Sequence, residues 1–152
     1  MPLRLSSSNI GMQTIGYINV HINEELSIEK LTDNLYYNRT YLMKKFKKET
    51  GNTINEYINK KRIFESIEHL LSTDDKILKI ALTNGFNSAE YYSEVFQKYI
   101  GCSPTAFKKI LENGISCKEK VDIAKIHDNF NKLSQEILNL TQENVKALKK
   151  GK

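Results

Sequence analysis

Arg39, Lys44, Lys47 and Lys48 fall in one ten-residue stretch that also carries Thr40 and Met43. If that stretch is a helix, Leu42 and Phe46, four apart, form its inward side, and Thr40, Met43, Lys44 and Lys47 fall on the outer side. The chemistry of such a surface is electrostatic, and it suits a polyanion. A solvated helical face is the plain alternative. Other reactive residue types form no pattern. His21, His69 and His127 are far apart and lack ligand spacing, and His21 and His69 are expected on ordinary helix surfaces. Cys102 and Cys117 lie outside any Cys-x-x-Cys spacing and read as reduced bystanders. There is no Gly-rich phosphate loop, His-Glu-x-x-His or nucleophile elbow. No enzyme activity, cofactor or metal site is expected.

Charge distribution sharpens the point. The chain has 152 residues and a net charge of +5, from 23 basic and 18 acidic side chains. Residues 27–62 hold nine Lys/Arg against four Asp/Glu, for +5, whereas residues 74–111 hold five against four, for +1. Residues 112–152 hold eight against six. With 39% apolar and 27% charged residues the composition is that of a globular domain, neither disordered nor membrane-embedded. No apolar run approaches the ~18 residues of a membrane span. The first nine residues, expected to be disordered, lack the apolar core of a signal peptide, so a cytoplasmic location is expected.

The elements that must position the basic stretch read as helices almost throughout, because Gly and Pro are scarce and sit mostly at the edges of periodic segments. A first helix is expected over about 11–25, carrying Ile15, Ile18 and Ile22. Ser27 can cap the next, with Ile28, Leu31 and Leu35 inward. Asn38 can cap a third that ends at Gly51. Thr53-Ile54-Asn55-Glu56 is a capping box that opens a longer helix carrying Tyr57, Ile58, Phe64, Ile67 and Leu71. Thr73-Asp74-Asp75 ends that helix and starts one with Ile77, Ile80 and Ala81 inward. After a tight turn at Gly85, Asn87 or Ser88 caps a helix through Tyr92 and Phe96 that ends at Gly101. Ser103-Pro104 starts another.

The chain repeats itself. A shift of 50 residues pairs Tyr41 with Tyr91, Leu42 with Tyr92, Phe46 with Phe96, Gly51 with Gly101 and Tyr57 with Phe107. Upstream of the turn the shift is 49, pairing Ile28 with Ile77, Leu31 with Ile80 and Tyr37 with Phe86. Each unit is a short helix, a tight turn, a second exposed helix ending at Gly and a capped third helix, which is the helix-turn-helix plan.

These residues resemble the DNA-binding domain of the AraC/XylS family of transcription regulators. The resemblance runs from about residue 15 to 109 and is strongest in Ile80-Ala81, Gly85-Phe86, Tyr92, Phe96, Gly101 and Ser103-Pro104. It implies an all-α fold of two helix-turn-helix subdomains joined by a long linker helix over about 54–72. Each subdomain would present its second helix to the major groove of double-stranded DNA. By the family pattern, Thr40, Met43 and Lys44 face bases. Lys44 can then donate to guanine O6/N7, while Met43 and Thr40 meet a thymine methyl. Arg39, Lys47 and Lys48 are expected on phosphates.

On the second exposed helix, Ala89, Glu90, Ser93 and Glu94 take the base-facing positions, with Gln97 and Lys98 also outward. Glu94 stands where the family commonly has Arg. Either Glu90 or Glu94 accepts from cytosine N4, or the second lobe binds weakly. The helix starts at Thr53 and Ser103 can hold a phosphate. Tyr36 occupies a turn position where the family usually has Gly. Lys45 and Asn84 take slots that are usually apolar, and all three departures would loosen the lobes. RNA polymerase is a further partner that the resemblance brings in.

The expected organisation is a disordered segment 1–9, the double helix-turn-helix domain 10–111 and a helical extension 112–152. Many family members carry a separate sensing domain before the DNA-binding one. About 14 residues precede the matched region, so a stand-alone member or a fragment is expected. In the extension, Ile123, Ile126, Phe130, Leu133, Ile137, Leu140, Asn144 and Ala147 form a heptad seam with Asn144 at an a position. The extension is thus an amphipathic or coiled-coil helix that makes a homodimer, binds a partner or folds back on its own domain. Two functions remain open: a sequence-specific DNA-binding transcriptional regulator, or a helical protein-interaction module assembled through the heptads with little DNA affinity.

Overall fold

A computed structural model describes residues 10–113 and 122–150, with the side chains of 10–112 and 122–142. The segment 1–9, Cys117 and the side chains of Asn144 and Ala147 lie outside the described residues. Among the described residues all regular structure is helical: α1 (Ile10–Val20), α2 (Ile28–Leu35), α3 (Arg39–Thr50), α4 (Ile54–Ser72), α5 (Ile77–Thr83), α6 (Ala89–Ile100), α7 (Pro104–Asn113) and α8 (Ile123–Lys150). They form two compact units, residues 10–58 with 137–150, and residues 59–113 with 122–136.

In the first unit α3 packs on α1 and α2. Its core is Ile15, Ile18, Leu31, Leu42, Phe46 and Tyr57, all fully buried. Phe46 meets Tyr57 edge-on at 6.1 Å, and the Tyr57 hydroxyl donates to Asn19 Oδ1 at 2.7 Å. Gly11 sits where α1 comes closest to α3. Its N–H donates to Glu49 Oε1 at 2.6 Å, and a Cβ there would stand 3.1 Å from the Glu49 Cβ. The carboxylate of α3 thus satisfies an amide in the first turn of α1, where the helix dipole favours negative charge.

α1 is shorter than its apolar spacing suggests. It ends at Val20, and His21 closes the following turn. Its ring lies 4.3 Å from that of Tyr17, its Nδ1 is 2.8 Å from Glu24 Oε2, and its carbonyl accepts from the Glu24 N–H. Tyr36 takes the left-handed conformation at the end of α2, with φ 61° and ψ 38°. For a side chain of this size that costs about 1 kcal/mol or more.

In the second unit the buried set is Ile63, Ile80, Ala81, Tyr92, Phe96, Ile100 and Phe107. α4 buries Tyr57, Ile58 and Ile67 as expected, but Ile63 and Leu70 are buried in place of their neighbours Phe64, which is half-buried, and Leu71, which is 38% exposed. Tyr92 fills the place that Leu42 fills in the first unit. Its hydroxyl donates to Ser66 Oγ at 2.8 Å, and Ser66 donates to the Ile63 carbonyl. Burial pushes the Tyr92 phenol up to about 12.

His69 is not an ordinary surface residue. Its Nε2 lies 2.8 Å from Asp75 Oδ2, and its Nδ1 lies 3.2 Å from the Asn84 amide nitrogen. That nitrogen also donates to the Ile80 carbonyl at 2.8 Å. An amide nitrogen only donates, so Nδ1 accepts and Nε2 carries the proton toward Asp75. Asn84 is therefore buried and satisfied, and it does not loosen the unit in the way its polarity suggested. Asp75 is used here and does not start α5, whose cap residue Lys76 makes no side-chain cap bond. The Asp75 carboxyl is held below the ordinary carboxylate range, chiefly by the hydrogen bond from His69.

The first half of α8 packs in the second unit. Phe130 meets Phe107 at 5.9 Å, the Asn129 amide donates to the Ile100 carbonyl at 3.0 Å, and Glu136 pairs with Lys60 at 2.9 Å. Ile126, Leu133, Ile137 and Leu140 are buried, and Ile123 and Phe130 are half-buried. Among the described residues the seam positions from Ile126 to Leu140 are therefore covered or partly covered within one chain, as the fold-back alternative expects.

Two outcomes follow. Glu49→Ala leaves the Gly11 amide without its acceptor and lowers stability by about 2 kcal/mol, read from urea unfolding. His69→Ala returns the Asp75 titration toward the ordinary carboxylate range, observable by carboxyl NMR. A depressed carboxylate stabilises above its unfolded pKa and loses that contribution as pH falls through the folded value, so the variant's stability changes less steeply on the acid side than the parent's.

Candidate nucleic-acid interface

α3 is built to expose one face. Asn38 caps it, its Oδ1 accepting from the Tyr41 N–H at 3.2 Å, and Gly51 ends it at φ 80°. Leu42 and Phe46 are buried beneath it, and Arg39, Thr40, Met43, Lys44, Lys47 and Lys48 are exposed. These six therefore share one helix and one solvent-facing surface. They differ in how committed they are. Arg39 lies 3.3 Å from Glu29, an exposed pair worth little. Lys47 Nζ donates to the Gly51 carbonyl at 3.1 Å and stands 3.9 Å from Glu56. Lys44 and Lys48 form no ion pair among the described residues. Lys45 is half-buried and stands apart from this face.

At the start of α4 the capping box closes reciprocally. The Glu56 N–H donates to Thr53 Oγ1 at 3.0 Å, and the Thr53 N–H donates to Glu56 Oε1 at 3.1 Å. A carboxylate already occupies part of the position that a phosphate would take. Ser103 caps α7, its Oγ accepting from the Ala106 N–H at 3.1 Å, without a capping box because position 106 is alanine, and it is half-buried.

α6 repeats the scaffold with different surface chemistry. Ser88 caps it, and Gly101 ends it at φ 103°. A Cβ on Gly101 would also come within 3.1 Å of the Asn129 amide. Glu90, Glu94, Gln97 and Lys98 are exposed, and Ala89 and Ser93 are half-exposed. Lys98 Nζ lies 5.4 Å over the Tyr99 ring. A shallow groove lined by Asn59, Tyr91, Glu94, Val95, Lys98 and Tyr99 runs between α4 and α6, and the Asn59 amide donates to the Tyr91 hydroxyl there at 3.1 Å. Partial burial lowers the pKa of Arg62, against the opposing influence of Tyr91.

The exposed aromatics Tyr36, Tyr41 and Tyr91 were not among the residues the sequence marked for the surface. The pairing of Tyr41 with Tyr91 in the repeat was the available signal for two of them. Among the described residues no cluster of His, Cys, Asp and Glu could hold a metal ion, and no helix is long and apolar enough to cross a membrane.

Comparison with known proteins agrees with this arrangement. The helix-turn-helix domain family matches residues 31–110. The probable transcription factor PqrA of Proteus vulgaris is 34% identical over 92 residues, which is 60% of this chain and 73% of that protein. Other curated relatives are longer, and the chain spans 13% to 37% of their length in two cases. The C-terminal domain of AraT, a response regulator from Geobacillus stearothermophilus, matches with a TM-score of 0.65 at 29% identity, covering 78% of this chain and 96% of that one. The DNA-binding domain of AdpA, a global transcriptional factor solved in complex with a target DNA, shares the fold at 19% identity and a TM-score of 0.62, covering 70% of this chain and 97% of that one. The repeated unit, with an exposed helix at the same place in each copy, is thus that of the AraC-type helix-turn-helix family of DNA-binding transcription regulators, to which this chain belongs.

Proposed function

We propose that this chain regulates transcription by placing α3 and α6 in two major-groove segments of double-stranded DNA, with α3 supplying most of the affinity. Successive segments on one face of the duplex lie about 34 Å apart, so the half-sites are separated by ~10 bp. The observation that carries this reading is the exposed face of α3, where Lys44 and Lys48 stand beside Thr40 and Met43 without an ion pair among the described residues. Lys44 reads guanine, and Met43 and Thr40 meet thymine methyls. Arg39, Lys47 and Lys48 neutralise phosphates, and the helix starts at Thr53 and Ser103 add backbone contacts. AdpA, whose DNA-binding domain shares this fold, was solved with a target DNA, which supports the assignment.

α6 acts as the weaker reader. Glu90 and Glu94 repel phosphate but accept from cytosine N4, so Ala89, Glu90, Ser93, Glu94, Gln97 and Lys98 contribute selectivity more than affinity. The occupied heptad seam favours this reading over an interaction module and favours the monomer over a homodimer as the DNA-binding form. A regulator of this kind works in the cytoplasm and meets RNA polymerase there.

The test is fluorescence anisotropy of a labelled mixed-sequence duplex of about 30 bp between about 50 and 200 mM salt. Binding that falls steeply with log salt supports the reading, and no binding at micromolar protein and about 50 mM salt overturns it. Lys47→Ala lowers the salt slope by about one. After selection of a preferred site, Lys44→Ala weakens that site by about 1–3 kcal/mol more than mixed DNA. Glu94→Ala tightens mixed-sequence binding or changes the selected half-site. An unchanged titration on both DNAs would remove Glu94 from the interface.

A further inference from the structure

Tyr36 is held in a conformation its side chain disfavours, at a place where the same fold uses glycine. The shift of 49 that aligns Tyr37 with Phe86 aligns Tyr36 with Gly85. Both take positive φ, 61° for Tyr36 and 89° for Gly85. The turn between the two helices of each unit thus requires the left-handed region, and the second unit meets it without steric cost. In the first unit a large β-carbon-bearing residue meets it instead. Strain of this kind, observed first, is a pointer to function.

The interior gives no reason for the tyrosine. Its N–H donates to the Thr32 carbonyl at 2.9 Å, a bond that any residue except proline makes. The side chain is 65% exposed and has no hydrogen bond or ring partner among the described residues. The adjacent tyrosine is used differently. The Tyr37 hydroxyl donates to Gln13 Oε1 at 3.2 Å, and its ring packs 6.2 Å from that of Tyr41. Two neighbouring tyrosines are therefore split, one against the helical core and one into solvent just ahead of the Asn38 cap of α3. In a helix-turn-helix the start of the second helix lies in the major groove, whose rims are lines of phosphates. A phenol projecting from the turn meets that rim, where neutral hydroxyl donors commonly fix register on the backbone.

We propose that the Tyr36 hydroxyl donates to a DNA phosphate beside the half-site read by α3, and that the strained turn is retained to aim it. This inference rests on the DNA-binding reading above. It extends the interface of the basic unit by a neutral contact that is peculiar to that unit.

The experiment uses the full chain and the same mixed-sequence duplex, since a phosphate contact is independent of sequence. Tyr36→Phe is expected to weaken binding about tenfold, in line with loss of a hydrogen bond to a charged group, while leaving the salt slope unchanged because a phenol displaces no counterion. Tyr36→Gly is expected to lose as much affinity while keeping or raising the thermal midpoint, because the left-handed strain is gone. Wild-type affinity in Tyr36→Phe overturns the proposal and leaves the DNA-binding reading standing. So does a Tyr36→Gly variant that melts earlier while Tyr36→Phe binds normally, which would make the ring structural. A parent chain that binds no duplex removes both readings together.

Discussion

The fold rests on one contact made twice: an aromatic ring near the end of each exposed helix, packed edge-on against an aromatic ring on the helix that follows. Phe46 meets Tyr57 at 6.1 Å, and Phe96 meets Phe107 at 5.5 Å. All four rings are buried. Between the members of each pair the chain reverses through a glycine in the left-handed region, Gly51 or Gly101. Edge-to-face pairing is a favoured aromatic geometry, and each ring buries a large apolar surface at the join between the two helices. The glycine permits the reversal and the Thr53 or Ser103 cap restarts the chain. The outward face of α3 or α6 is aimed by this clamp, so the surface residues can vary without disturbing the scaffold.

They have varied. The two units keep the clamp, the caps of the two helices that form it, and Gly51 and Gly101, but carry opposite surface chemistry, cations on α3 and carboxylates on α6. The core has also diverged. Where the first unit buries Leu42, the second buries Tyr92, and the added hydroxyl is answered by Ser66. Where an apolar residue would serve, the second unit buries Asn84 and satisfies it through Ile80 and His69. A buried polar group is tolerated when every donor finds an acceptor, and both exceptions obey that rule.

The C-terminal helix shows the limit of a periodic pattern. Heptad spacing states that one side of a helix must be covered and is silent on what covers it. For the described first half of α8 the cover lies within the chain: Phe130 meets Phe107 at a tilt, and the Asn129 amide donates to the last carbonyl of α6. That contact also gives Gly101 a second reason to lack a side chain, since the Asn129 amide takes the space of a Cβ.

What was legible in the residues alone was the short-range physics. Caps at Ser27, Asn38, Thr53 and Ser103, the choice of Asn87 or Ser88 before α6, and helix ends at Gly51 and Gly101 depend on neighbours within four positions, so spacing reveals them, whereas the turn at Tyr36 was marked only by the family resemblance. The repeat put the four rings in register, Phe46 with Phe96 and Tyr57 with Phe107, because two copies of one spatial problem left the same residue types, and the structure showed that they meet. The exposed face of α3 followed from Leu42 and Phe46. Only the tertiary structure decided the rest. Ile63 in place of Phe64 faces the core because adjacent positions are both apolar and packing chooses between them. His69 became a bridge because Asp75 and Asn84, 6 and 15 positions away, converge on it. In the heptad seam Phe130 found its cover on Phe107, 23 positions back along the chain. Periodicity fixes which side of a helix must be buried, whereas the partner is chosen by distances that a linear pattern does not contain.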